Sequence, residues 1–298
     1  MLRQIISILY LLHVITANSQ ISFHESFVEN FDASSPTFFS LSHINHDPEV
    51  DMRYICGSSS LTEKNTDVMI YRFDPDDPAG AGKGPEIISK SYTHYGSYSA
   101  RLRIPRASKV QPNVGAVVGY FTYNMEKEYG LSEIDWEWLI ADPHIVYIGT
   151  WTGKGDCLQR IGRTIDLAQG KILNTIYRSP RDGNINHQLS GMQNQPESIS
   201  AIEGYDASSQ FYVYGFDWYP NRLTWWIIHP ETQEKVVLWD YSGSTPDFTG
   251  IPTNKTRYRL NFWHTNNWSV ETNPNSTEKP KYPYEVEIDW MSYKPFKQ

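Results

Sequence analysis

From Glu86 onward, short apolar-rich runs are separated by polar breaks at Gly, Pro, Asn and Asp. EIISKSYTHYGSYSARLRIP, VGAVVGYFTY, SEIDWEWLIA, HIVYIGTW, FYVYGFDWY, RLTWWIIH, KVVLWDY, RYRLNFWH and YEVEIDWMSY are rich in β-branched and aromatic residues. Such runs predict strands, and no segment of helical length carries a 3.6-residue apolar period. Many strands at short spacing predict an all-β fold, an antiparallel β-sandwich, without the repeat a propeller requires. Pro220, Asn221 and Arg222 predict a hairpin turn between two aromatic strands. The Gly/Pro-rich stretch from Asp74 to Pro85 predicts a surface loop rather than a linker, because the strand-like residues from Val68 to Phe73 are too few for a core of their own. One domain over residues 20–298 is expected.

The N-terminal residues 1–19 carry one positive charge at Arg3, an apolar run from Ile5 to Ile15 and small residues at Ala17 and Ser19. This pattern predicts a secretory signal peptide, with an apolar run too short to span a bilayer. The C-terminus lacks the hydrophobic tail of a lipid-anchor signal. A secreted protein, extracellular or in a cell wall and not membrane-bound, is therefore expected. Asn254-Lys255-Thr256, Asn267-Trp268-Ser269 and Asn275-Ser276-Thr277 are sequons, which makes Asn254, Asn267 and Asn275 glycosylation candidates in that compartment. Cys56 and Cys157 are the only cysteines. A disulfide between them would close a loop of about 100 residues and contribute up to about 4.7 kcal/mol on the chain-entropy model.

Composition adds an excess of aromatic residues and a negative balance. Trp 10, Tyr 20 and Phe 12 make up 14% of the 298 residues. Aromatic rings favour strands, and they also form flat platforms for sugar rings or bases. Lys and Arg total 26 against 34 for Asp and Glu, a net charge of −8, which argues against a nucleic-acid partner. Two cysteines without a histidine cluster do not make a metal site, and no P-loop, GxSxG or HExxH motif is present. No metal or cofactor is expected.

The chemistry concentrates in SEIDWEWLI. Glu133, Asp135 and Glu137 alternate with Ile134, Trp136 and Trp138, so a strand sends three carboxylates to one face and the apolar residues to the other. By chance a Glu-x-Asp-x-Glu string arises about 0.06 times in a chain of this length. Like charges so close raise one another's pKa and titrate as a set. Paired carboxylates are the equipment of glycoside hydrolysis. The outer Cα atoms of the motif lie about 13 Å apart at strand rise, so spacing alone leaves retaining and inverting geometries both open.

Glu133-Ile134-Asp135-Trp136-Glu137 resembles the catalytic strand of glycoside hydrolase family 16, which includes endo-β-1,3(4)-glucanases, xyloglucan transglycosylases and fungal cell-wall glucan-modifying enzymes. The resemblance extends over residues 86–293, through the segments 91–105, 211–227, 260–268 and 284–293, and residues 20–85 match loosely. It implies a jelly-roll sandwich of the lectin and glucanase type with a concave substrate cleft. By the resemblance Glu133 is the nucleophile, Asp135 the assisting acid and Glu137 the general acid/base of a retaining reaction on a β-glucan. Asn261, Trp263 and Trp268 are implied to bind sugar. Leu131 stands where some glucanases carry an aromatic, and VYIGTWTGKG replaces a more amide-rich strand. Asp289 stands where some members bind structural calcium, although a plain sheet aspartate fits one isolated acid better.

His94, Tyr95 and His264 neighbour the expected cleft strands in sequence and are further sugar-contact candidates. The expected partner is a β-glucan polysaccharide, acted on by a monomer. Two alternatives accompany the hydrolase: a transglycosylase that remodels cell-wall glucan, and a non-catalytic, lectin-like carbohydrate-binding protein.

Overall fold

A computed structural model describes residues 23–32, 36–43, 54–55, 68–73, 85–243, 245, 249–264, 278, 280 and 284–297. The predicted runs appear as strands. In chain order these are β1 (Phe27–Glu29), β2 (Phe39–His43), β3 (Tyr54–Ile55), β4 (Val68–Phe73), β5 (Pro85–Ser89) and β6 (Gly96–Arg103). There follow β7 (Ala116–Glu126), β8 (Gly130–Leu139), β9 (Ile145–Lys154), β10 (Cys157–Asp166), β11 (Lys171–Arg178) and β12 (His187–Gln188). The remaining strands are β13 (Tyr212–Tyr219), β14 (Arg222–Ile228), β15 (Lys235–Ser242), β16 (Arg257–His264) and β17 (Tyr284–Pro295). Among the described residues the helical segments are two 3₁₀ turns, Pro180–Asp182 and Gly191–Asn194.

The strands form two antiparallel sheets. The front sheet runs β12-β11-β10-β9-β8-β7-β16-β5-β2, and the back sheet β15-β14-β13-β6-β17-β4-β3 with β1 also on β17. Tyr219 pairs with Arg222, so the turn expected at Pro220-Asn221 closes the β13–β14 hairpin. The strands before Glu86 are divided between the sheets: β2 pairs with β5, whereas β1 and β4 pair with β17. Residues 74–84, expected as a loop, lie outside the described residues.

The space between the sheets is filled largely by aromatic rings. Trp136 and Trp138 are fully buried and stack at 5.5 Å, and Tyr214 of the back sheet packs against them at 5.1 and 4.7 Å. Trp225 stacks on Trp239 at 5.0 Å in the same layer. Each such side chain contributes roughly 1.5–3 kcal/mol by leaving water. That layer also encloses a cation. Arg163 is fully buried, and it donates to Thr175 Oγ1 at 2.9 Å, Pro196 O at 2.9 Å, Leu238 O at 2.8 Å and Asn194 Oδ1 at 2.7 Å. Burial pulls its pKa down to about 9, which leaves it charged at neutral pH. The guanidinium thus ties the 191–196 segment and β15 to the front sheet.

Candidate active site

The outer face of the front sheet carries the residues opposite the core. Because Ile134, Trp136 and Trp138 face inward, Glu133, Asp135 and Glu137 face outward from a strand with neighbours on both sides. Register then fixes their surroundings. Glu133 lies between Tyr123 of β7 and Trp151 of β9, Asp135 between Phe121 and Gly149, and Glu137 between Gly119 and Tyr147. One strand beyond β7, β16 places Arg259 beside Phe121, Asn261 beside Gly119 and Trp263 beside Val117.

Two neighbours of the triad lean over glycines. A Cβ on Gly149 would come within 2.6 Å of the Tyr147 hydroxyl, and one on Gly162 within 2.6 Å of the Tyr147 ring, so the ring lies across β9 and β10. A Cβ on Gly119 would meet Asn261 Oδ1 at 2.6 Å. These bare backbones let side chains from adjacent rows fold down beside the carboxylates. Tyr147 also joins Val117 and Leu139 in a small apolar cluster on the outer face, on which half-buried Trp263 rests.

Asp135 is 4% exposed, its Oδ2 makes no hydrogen bond, and its carboxyl is raised well above the ordinary range by burial and then by Glu133 and Glu137. Glu133 is raised to about 8, first by burial and then by Glu137. Arg259 opposes that rise. Its guanidinium lies over the Tyr123 ring at 5.0 Å and pairs with Glu86 Oε1 at 3.1 Å. Burial thus pushes Glu133 and Asp135 toward their protonated forms, while a fixed cation favours the anionic form of Glu133.

The structure gathers Glu133, Asp135, Glu137, Asn261 and Trp263 on one face. Trp268, Asn267, Asn275, Cys56 and residues 1–19 lie outside the described residues. Cys157, at the start of β10, is exposed with a free thiol, and the bridge to Cys56 stays an expectation. Asn254 has its amide nitrogen buried, and Thr256 of the same sequon is fully buried. His94 and Tyr95 do not join the site. They precede β6 in the back sheet, stack on each other at 3.8 Å and meet Trp218 edge-on at 5.1 and 5.2 Å, and His94 Nε2 lies 3.1 Å from Thr253 O. His264 pairs with Ala116 at the end of β16. Asp289 is engaged by Arg101, and no cluster of potential metal ligands occurs among the described residues. Sequence reading had not singled out Arg259, Glu86, Tyr123, Tyr147 or Trp151. For Arg259 a signal existed, since it alternates with Asn261 and Trp263 along RYRLNFWH.

No protein-family model and no curated protein matches the sequence. Solved structures do match. The chain is similar to a prokaryotic β-1,3-1,4-glucanase (lichenase) derived from a mouse hindgut metagenome, with a TM-score of 0.55 at 18% identity over 92% of this chain and 100% of that one. The laminarinase catalytic domain from Thermotoga maritima MSB8 gives a TM-score of 0.54 at 14% identity over 92% and 100% of the two chains. The Crh5 transglycosylase gives 0.51 at 16% identity over 92% and 85%. At these identities the likeness establishes the fold, a jelly-roll β-sandwich shared with glucanases and a transglycosylase.

Proposed function

We propose that the protein is a secreted, retaining glycoside hydrolase of the family 16 type, acting on internal β-glycosidic bonds of a β-glucan, with residues 1–19 as its export signal. The observation that carries this reading is the carboxylate row, with Asp135 buried between two half-buried glutamates. A solvated acidic strand needs neither the burial of Asp135 nor a cation beside Glu133, and a sugar-binding face needs no carboxyls pushed toward their protonated forms.

The two glutamates have complementary tasks. Glu133 attacks the anomeric carbon as the glycosidic C–O bond breaks, and Glu137 gives its proton to the departing oxygen. Glu137 then takes a proton from water, whose oxygen attacks the same carbon and releases Glu133. Before the first step Glu133 has to be ionised and Glu137 protonated. A proton on Glu137 removes its repulsion of Glu133, and Arg259 then favours the anion against the burial that opposes it. Asn261 and Trp263 offer an amide and an apolar platform to the sugar, the pairing expected of a carbohydrate site. With a sugar hydroxyl in place of water, the second step becomes transglycosylation, an outcome supported by the Crh5 likeness.

The test is release of reducing ends from laminarin, lichenan and xyloglucan by the wild type and by Glu133→Gln and Glu137→Gln. Turnover of at least one glucan, lost in both variants, supports the reading. Turnover unchanged in either variant overturns it. Mass spectrometry with a labelled acceptor oligosaccharide separates hydrolysis from transfer.

A further inference from the structure

The outer face continues past Glu133 toward β11, and there its character changes. Glu133 pairs with Trp151, Trp151 with Arg160, and Arg160 with Arg178, so the four residues form one cross-strand row. At about 4.8 Å per strand, Arg160 and Arg178 stand about 10 and 14 Å from the nucleophile's backbone, within reach of sugars further along a chain bound across the strands.

Two like charges directly opposite each other destabilise a sheet. Here both guanidiniums share one ring: Arg160 lies 5.6 Å and Arg178 6.0 Å from the Trp151 centroid, and Arg160 also lies 5.9 Å from that of Tyr147. Cation–π attraction offsets part of the repulsion and holds the cations beside the cleft. A cavity of about 410 Å³ opens at this point, lined by Trp151, Asp156, Leu158, Arg178, Pro180 and Asn184. Arg160 is 5% exposed and does not line it, whereas Arg178 is half-buried and does. Of the nearby carboxylates, Asp182 is engaged by His187 Nε2 at 2.7 Å, and Asp156 lines the cavity itself. The chain as a whole is acidic, at −8, yet this end of the cleft places two guanidiniums over one aromatic ring.

We propose that the Trp151–Arg160–Arg178 row is a subsite for an anionic sugar, a uronate or a sugar carrying an acidic substituent, in the polysaccharide held at Glu133. Trp151 stacks on the ring, and Arg178 receives the negative group by charge-assisted hydrogen bonds, the geometry for which a planar guanidinium is suited. Arg160, held over the Trp151 and Tyr147 rings, adds its field. The inference rests on the carbohydrate cleft proposed above and specifies what one end of it selects.

The test uses binding, so that it does not depend on turnover. In the full-length Glu133→Gln protein, affinities are measured by calorimetry for β-glucan oligosaccharides and for counterparts of equal length oxidised at C6 to carboxylates. The acidic ligand binds more tightly, its advantage shrinks with added salt, and Arg178→Gln lowers the acidic-to-neutral affinity ratio about tenfold, the scale of one charge-assisted hydrogen bond. Arg178→Lys restores part of the ratio. Should Arg178→Gln fail to fold, the ratio in the Arg178 protein and its salt dependence decide. Equal affinities, or a ratio that ignores both salt and Arg178, overturn the subsite while leaving the glucan cleft intact. Binding of neither ligand overturns the cleft as well.

Discussion

The indole Nε1 of Trp225, on the back sheet, donates to the backbone carbonyl of Asp135 at 3.2 Å. A residue from the opposite layer therefore fixes the middle of the carboxylate row from beneath, and Trp225 is itself braced by Trp239. Rigid support of this kind keeps catalytic groups in productive geometry. Trp225→Phe removes the donor and some of the packed volume. It is expected to lower stability by about 1–3 kcal/mol in denaturant unfolding and to reduce kcat more than it raises KM. A KM effect alone would contradict this role, because Trp225 is fully buried between the sheets and cannot touch the sugar.

Arg259 acts on the same row from the side. Its charge opposes the rise in the Glu133 pKa, and in the proposed mechanism Glu133 works as the anion. Removing the charge in Arg259→Met raises that pKa further, so the acidic limb of the kcat/KM profile moves to higher pH, with partial recovery in Arg259→Lys. The measurement is a pH–rate profile on a soluble β-glucan. An unmoved limb would leave Arg259 only its contacts with Tyr123 and Glu86.

The raised carboxyls also have a thermodynamic signature. Glu133 titrates at its ordinary 4.5 when unfolded and at about 8 when folded. Between those values the folded protein holds more protons than the unfolded chain, so this contribution to stability is complete below about 4.5 and is lost as pH rises through about 8. Asp135 shifts in the same direction. Asp135→Asn is expected to raise the melting temperature at pH 7–8 by a few degrees, at about 2–4 °C per kcal/mol, and to flatten its decline with pH, while activity falls. A melting temperature lowered by this substitution at pH 8 would contradict the electrostatic account.

Asn254 was expected as one of three glycosylation sites, yet the fold encloses its amide nitrogen. A glycan on that nitrogen has no exit to solvent. Glycopeptide mass spectrometry of protein secreted from a eukaryotic host should find the peptide containing Asn254 unmodified. Full occupancy there would require a different local structure.

How much of this was legible in the chain depended on the range of the signal. The two faces of β8 followed from the period of two, because Glu133, Asp135 and Glu137 sit one residue away from Ile134, Trp136 and Trp138 and a strand does the rest. Asn261 and Trp263 reached the site through resemblance. Arg259, Tyr147 and Trp151 stayed hidden because their roles depend on register between strands far apart in sequence, and local alternation does not encode which strands become neighbours. The same limit misplaced His94 and Tyr95: closeness in sequence to an expected cleft strand does not reveal which sheet that strand enters, and β6 belongs to the back one. The aromatic excess likewise resolved only with the sheets assembled, into buried stacks led by Trp136 and Trp138 and outward-facing rings such as Trp151 and Trp263.

The central claim is that Glu133 and Glu137 carry out a double displacement on a β-glucan, and the configuration of the first product tests it most directly. Proton NMR is recorded during the first minutes of digestion of a soluble β-glucan, before mutarotation mixes the anomers. The account predicts that the β-anomer of the new reducing end appears first, with the α-anomer growing in later. Initial release of the α-anomer would contradict it, because inversion leaves no place for a glycosyl intermediate on Glu133.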